Sequence, residues 1–244
     1  MDRAIFLDRD GTLVHPRHYP SRPAELLLYS GIGPELRRLQ LAGFQLIVVT
    51  NQAGLARGYF GAADLDRMHA HLARELARLD VRVDAIYHCP HHPAGIIPAL
   101  AIECECRKPQ PGMLLRAAAE RGIDLWRSWI VGDILDDVEA GKRAGCRAVL
   151  VDLGTESPPA GPLRQPDFVA QDTPHALRII AAEERLGGAA DRGYLPVSWR
   201  ETDRELGRQG DKETGSATTS PDLLVSQSPC LLVSKHGEQH DTSA

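Results

Sequence analysis

Two carboxylates stand two residues apart in Phe6-Leu7-Asp8-Arg9-Asp10-Gly11-Thr12, directly after the short apolar run from Ala4 to Leu7. In an extended segment residues at that spacing point to one side, so Asp8 and Asp10 can lean together. Such carboxylates repel unless one is protonated or a cation lies between them. A divalent ion answers the repulsion, and oxygen ligands with no sulfur nearby favour Mg²⁺. Asp133, at the end of Trp129-Ile130-Val131-Gly132, is the natural third ligand. The bland alternative is that Asp-x-Asp-Gly-Thr is a turn, since Asp and Gly favour turns. A second constellation is Cys89-Pro90-His91, twelve residues, then Cys104-Glu105-Cys106. Three thiolates and an imidazole make a closed tetrahedral zinc set with no open position, so zinc here is expected to be structural, pinning the loop over residues 89–106. By spacing alone His92 could replace His91. The alternative is three buried thiols beside a chance histidine. Arg107-Lys108-Pro109 follows at once, so fixing the last cysteine fixes where two cations point.

These residues need elements to hold them. Ala4 to Leu7, Gln45 to Val49 and Trp129 to Val131 read as buried strands, each followed by polar residues: Asp8, then Thr50-Asn51-Gln52, then Asp133. Ala85 to His88 is a further strand. Between them the period is helical: Ile32, Leu36 and Leu39 before Gly43; Leu65, Met68, Leu72, Leu76 and Leu79; Met113, Leu114 and Ala117 after Pro111-Gly112; Val138 and Ala144 before Gly145. His69 and His71, on the leucine-stripe helix, are expected to be solvated, and Cys146 to be core. Alternation of this kind predicts an α/β fold, a Rossmann-like three-layer sandwich with a mainly parallel sheet, whose ligands bind at the carboxyl ends of the strands. The polar signatures all sit at those ends. Prolines 158, 159, 162 and 166 mark a loop, Phe168-Val169 an edge strand, and Leu177, Ile180 and Ala181 a closing helix that stops at Gly187-Gly188. The domain is therefore expected over residues 1–188. Residues 189–244 read as a low-complexity, disordered tail, with an eight-residue near-repeat (Ser220–Gln227, Ser228–Lys235) and a Cys230 without evident role. Only 37 residues separate Thr12 from Thr50, and 57 separate Thr50 from Lys108. Both intervals are filled by the helices, strand and loop already named, which leaves no room for a large cap.

Composition narrows the function. The 244 residues are 43% hydrophobic and 25% charged, with a net charge of −5, an ordinary globular balance without global attraction to nucleic acid or anionic lipid. No run approaches the ~20 apolar residues of a membrane span. The opening Met-Asp-Arg-Ala lacks a secretory pattern, and five cysteines, three of them within 18 residues, suit metal in a reducing cytoplasm better than a disulfide scaffold.

Asp-x-Asp-Gly-Thr after the first strand, Thr50 after the second, Lys108 before a helix and Gly132-Asp133 after a later strand occur in the order of the haloacid dehalogenase-like (HAD-like) phosphatases, and residues 3–150 resemble that superfamily. The resemblance implies that Asp8 attacks phosphorus, that Asp10 is the acid and base, and that Thr50 and Lys108 hold phosphoryl oxygens. Mg²⁺ would then bridge Asp8, the Asp10 backbone carbonyl, Asp133 and substrate. Phe6–Thr12, Val49–Gly58 and Cys104–Met113 are similar to the zinc-loop subgroup of heptose 1,7-bisphosphate 7-phosphatases and histidinol-phosphate phosphatases. By that similarity Arg107 and Lys108 are the phosphate-holding pair, and Pro16 to Tyr19 and Thr50 to Ala53 (with Asn51 and Gln52) fall where the subgroup contacts its sugar. Arg57 is a further basic candidate. The chain departs from the subgroup at Ile134, where a lysine is usual, and at Pro16-Arg17-His18, which precede the one retained contact, Tyr19. The implied substrate is a small phosphorylated sugar on the route to nucleotide-activated heptose. The implied setting is a cytoplasmic monomer without nucleic-acid or membrane partners. Histidinol phosphate is the nearest rival substrate, and a non-catalytic zinc-bearing scaffold the rival of another class. A scaffold gains nothing from gathering Asp8, Asp10, Lys108 and Asp133.

Overall fold

The computed structural model describes residues 1–186. The expected tail, together with the proposed helix stop at Gly187-Gly188, lies outside them. Six strands, β1 (Arg3–Leu7), β2 (Phe44–Asn51), β3 (Ala85–Cys89), β4 (Trp129–Gly132), β5 (Arg147–Val151) and β6 (Phe168–Ala170), form one sheet in the order β3-β2-β1-β4-β5-β6, with every neighbouring pair parallel. Five helices connect and close it: α1 (Ile32–Leu41), α2 (Ala62–Ala77), α3 (Gly112–Arg121), α4 (Leu135–Ala144) and α5 (Thr173–Glu183).

Strand residues alternate between two apolar cores. Ile5, Leu7, Leu46, Val48 and Val131 pack with Leu36 of α1, Met68 and Leu72 of α2, and Leu177 and Ile180 of α5. Ala4, Phe6, Ile47, Val49 and Ile130 pack with Met113 and Leu114 of α3 and with Val138 of α4. The result is three layers, as expected from strands buried on both faces. Cys146 belongs to the second core, and burial pushes its thiol up to about 12.

Two residues of the leucine-stripe helix depart from expectation. His69 is wholly buried rather than solvated, and Leu79 lies beyond the end of α2, 42% exposed. His69 sits one place after Met68 on the inward face, so helical geometry carries it into the interior whatever its polarity.

The sheet order places β1 between β2 and β4, so the chain leaves the sheet in opposite directions on either side of β1. A crevice opens at such a switch point, at the carboxyl ends of the strands. Leu7 is in register with Val48 and with Val131, which brings Asp8, Thr50 and Asp133 to the same edge.

Candidate active site

Asp8 continues β1, and its amide donates to the Val131 carbonyl at 3.0 Å. The chain then turns tightly: the Leu13 and Val14 amides both donate to the Arg9 carbonyl at 3.0 Å, and Gly11 donates to Val14. Gly11 is irreplaceable here on two counts. Its φ is +87°, and a Cβ would stand 2.1 Å from Asp133 Oδ2. Thr173, at the start of α5, braces the same turn by donating from its hydroxyl to the Thr12 carbonyl at 2.6 Å.

Three buried carboxylates, Asp8, Asp133 and Asp137, offer oxygens within 4.8 Å of one another. Lys108 is their one buried cation among the described residues. Its Nζ donates to Asp8 Oδ1 at 2.5 Å and to the Val49 carbonyl at 2.8 Å, and it pairs with Asp137. All three ammonium hydrogens thus have protein acceptors. Burial, opposed by Lys108 and aided by repulsion from Asp137 and Asp10, lifts Asp8 to about 7. Burial and the charges of Asp8 and Asp137 lift Asp133 to about 8. Three acids against one ammonium leave the cluster short of positive charge, and only hard oxygen donors line it, which is the chemistry that fits Mg²⁺.

Asp10 has a different setting. Its carboxylate is not in this cluster, and its Oδ2 turns to Arg9 and Gln52. Thr50 is 1% exposed, and its Oγ1 accepts from Gln52 Nε2 at 2.8 Å, leaving its own hydrogen for an acceptor in the crevice. Asn51 grips the backbone of Lys108 at both ends, Nδ2 donating to the carbonyl and Oδ1 accepting from the amide, each at 3.1 Å. Asn51 and Gln52 therefore spend their polar atoms on the protein.

Cys89, His91, Cys104 and Cys106 converge, with neighbouring donor atoms 3.2 to 3.8 Å apart. Zinc ligands at the ~2.3 Å of a zinc–thiolate bond stand roughly 3.8 Å apart in a tetrahedron, so the set fits zinc, while the sulfurs are too far apart for disulfides. A hydrogen bond from Cys106 brings the Cys89 thiol down to about 6, toward the thiolate a metal needs. His91 Nδ1, not His92, faces the sulfurs. His92 instead lies 3.2 Å from Arg57 Nη2, and the Ile96 and Ile97 amides donate to the Ala56 carbonyl. The cysteine loop thereby supports Arg57, whose guanidinium lies 5.8 Å from the Tyr19 ring. Tyr19 holds a φ of +49° and packs edge-on against Tyr59 at 4.8 Å. Arg107 donates to the His91 carbonyl at 3.4 Å. Arg57 and Tyr19 thus meet on the loops after β1 and β2, and Arg107 lies beside the cysteine cluster. Arg17 is exposed.

Sequence reasoning passed over Asp137 and Arg9. The signal for Asp137 is an acid in the first turn of the helix after Gly132-Asp133. Its partner Lys108 is 29 positions earlier in the chain, and local spacing does not reveal it. Arg9, between two acids, carries no local sign of burial, yet it is wholly buried.

Residues 105–176 match the HAD-hydrolase-like family model. Over 185 residues, 75% of this chain and 83% of the relative, the sequence is 40% identical to D-glycero-beta-D-manno-heptose-1,7-bisphosphate 7-phosphatase of Mesorhizobium japonicum. The chain belongs to the heptose-1,7-bisphosphate 7-phosphatase family of HAD-like hydrolases. It is a phosphoric monoester hydrolase. The Escherichia coli K12 member is 42% identical over 153 residues, 63% of this chain and 76% of that one. The crystal structure of D,D-heptose 1,7-bisphosphate phosphatase from B. bronchiseptica, complexed with magnesium and phosphate, superposes with a TM-score of 0.63 at 33% identity, covering 74% of this chain and 99% of that chain. Among the described residues no helix is long and apolar enough to cross a membrane.

Proposed function

We propose that this phosphatase removes the 7-phosphate of a D-glycero-D-manno-heptose 1,7-bisphosphate, through an aspartyl phosphate on Asp8, in the cytoplasmic synthesis of nucleotide-activated heptose. The observation that carries the reading is the buried Asp8–Lys108 pair among Asp133 and Asp137 at the sheet's switch point, in a chain 40% identical to an enzyme of that name. Lys108 opposes the rise that burial imposes on Asp8 and fixes one of its oxygens, favouring the ionised form that acts as nucleophile. As Asp8 attacks, the bond from phosphorus to the sugar oxygen breaks, and Asp10 delivers a proton to that oxygen. Asp10 then accepts a proton from the water that frees Asp8. Thr50 has a hydroxyl hydrogen to give to a phosphoryl oxygen. Asp8, Asp133 and the Asp10 carbonyl would hold Mg²⁺, which neutralises phosphoryl charge when bound. Zinc on Cys89, His91, Cys104 and Cys106 would have a structural part, holding the loop that supports Arg57 and Arg107. Those two cations, with Tyr19, are the groups available to the sugar and its second phosphate.

The test is phosphate release from both anomers of the heptose bisphosphate and from histidinol phosphate, with Mg²⁺, beside Asp8→Asn. Preference for one heptose bisphosphate, abolished by Asp8→Asn, is the expected result. Equal slow turnover of all three would overturn the substrate, and turnover by Asp8→Asn would overturn the mechanism.

A further inference from the structure

Three donors converge on one oxygen of Asp10. Arg9 Nε and Nη2 reach Asp10 Oδ2 at 3.0 and 2.8 Å, and Gln52 Nε2 reaches it at 3.1 Å. The other oxygen, Oδ1, is buried without a hydrogen-bond partner among the described residues. The two donor residues are themselves fixed. Arg9 Nη2 also donates to Gln52 Oε1 at 3.0 Å, and Gln52 Nε2 to Thr50 Oγ1. Both side chains are buried, Arg9 wholly and Gln52 at 4% exposure. Behind Arg9 lie His69 and His88, whose rings are 5.5 Å apart. Neither ring nitrogen of His69 has a partner among the described residues, and burial, with the Arg9 charge, holds that imidazole neutral. Arg9 Nη1 has no partner among the described residues, while its Nε and Nη2 are committed to Asp10 and Gln52.

We propose that Arg9 and Gln52 are positioning residues for the acid–base step, and that they make Oδ1 of Asp10 the oxygen that carries the proton. An oxygen that accepts from three N–H groups has no direction left for a proton of its own. A buried, unpartnered carboxyl oxygen gains from one. In the first half-reaction the Oδ1–H bond breaks, the sugar oxygen takes that proton, and the electron pair of the P–O bond stays with the sugar oxygen. In the second, Oδ1 takes a proton from water as the water oxygen bonds to phosphorus and the Asp8 carboxylate leaves. Gln52 thus serves the substrate through Asp10 rather than by touching sugar. The inference rests on Asp10 being the acid and base.

The readout is leaving-group dependence. kcat/KM covers steps up to the first irreversible one, and a general acid matters for a poor leaving group and little for a good one. We would measure kcat/KM for substituted phenyl phosphates and an alkyl monophosphate with the wild type, Gln52→Met, Arg9→Met and Asp10→Asn, the full chain with Mg²⁺. Acid catalysis supplies about 10²–10⁴-fold, so loss of one orienting donor in Gln52→Met is expected to cost about tenfold with the alkyl ester and less than about twofold with p-nitrophenyl phosphate. A Gln52→Met variant with a loss uniform across the series, or with none, while Asp10→Asn steepens the dependence, would overturn the positioning role. Unchanged leaving-group dependence in Asp10→Asn would overturn the acid–base reading beneath it. Should Arg9→Met fail to fold, Gln52→Met decides.

Discussion

Lys108→Met removes the cation that pairs with Asp8 and Asp137 from a site holding three buried carboxylates, and the cost can be bounded. Breaking a buried pair by deleting one partner costs about 3–5 kcal/mol. The alternative open to the variant is to protonate one more carboxylate, Asp8 or Asp137, which the unfolded chain keeps ionised with a pKa near 3.8. At 1.36 kcal/mol per unit this costs about 5 kcal/mol at pH 7.5 and about 2 kcal/mol at pH 5.5. The sign follows from the raised folded-state pKa values: the folded form binds more protons than the unfolded, so stability falls as pH rises from 3.8 through the folded values, further in the variant. With about 2–4 °C per kcal/mol for a domain of this size, the melting temperature should drop by about 10–20 °C at pH 7.5 and by about half of that or less at pH 5.5. The assay is thermal unfolding of wild type and variant in Mg²⁺-free buffer at the two pH values, with phosphatase turnover at saturating Mg²⁺ alongside, expected to fall at least about 10²-fold. An equal drop at both pH values, or none, would refute the account of Lys108 as counter-charge.

Gly11→Ala forces a Cβ into the left-handed region against the Asp133 carboxylate, adding roughly 1–2 kcal/mol of strain and displacing that acid. Turnover should fall more than about tenfold while zinc content, by atomic emission, stays unchanged. Cys104→Ser should lose stoichiometric zinc, and with it binding energy on the order of 10 kcal/mol for the loop, exposing residues 90–106 to limited proteolysis. A zinc-replete, protease-resistant variant would exclude the tetrahedral site. His69 is held neutral by burial, its pKa well below 6.5, so its contribution is present above the unfolded value and is lost as pH falls below it, at up to about 1.4 kcal/mol per unit. His69→Leu should flatten the decline in urea-unfolding stability between pH 6.5 and 5, and an unchanged slope would show that His69 is not its source.

Much of the molecule was legible in local pattern. Short apolar runs ending in polar residues located β1, β2 and β4, because strands buried on both faces have no alternation to hide. The parallel sheet followed from the helices between them. Asp8, Asp133 and the four cysteine and histidine positions could be read because each sits at a strand end or in a tight spacing, where backbone geometry alone fixes the direction of the side chain. Pairings across the fold were not legible. Asp137 becomes part of the site only when Lys108 is threaded between it and Asp8, 100 positions away in sequence from Lys108. Arg9 and His69 carry polar side chains on segments that the sheet and α2 press inward, and their burial is decided by neighbours distant in the chain. The resemblance assigns Asn51 and Gln52 to the substrate, and spacing does not reveal the contacts they make within the fold, Gln52 with Asp10 and Asn51 with the Lys108 backbone. The sequence by itself determined which groups stand at the crevice, since strand ends and spacing are local. Which of them meet one another, and so which oxygen and which ammonium are left for chemistry, only packing could decide.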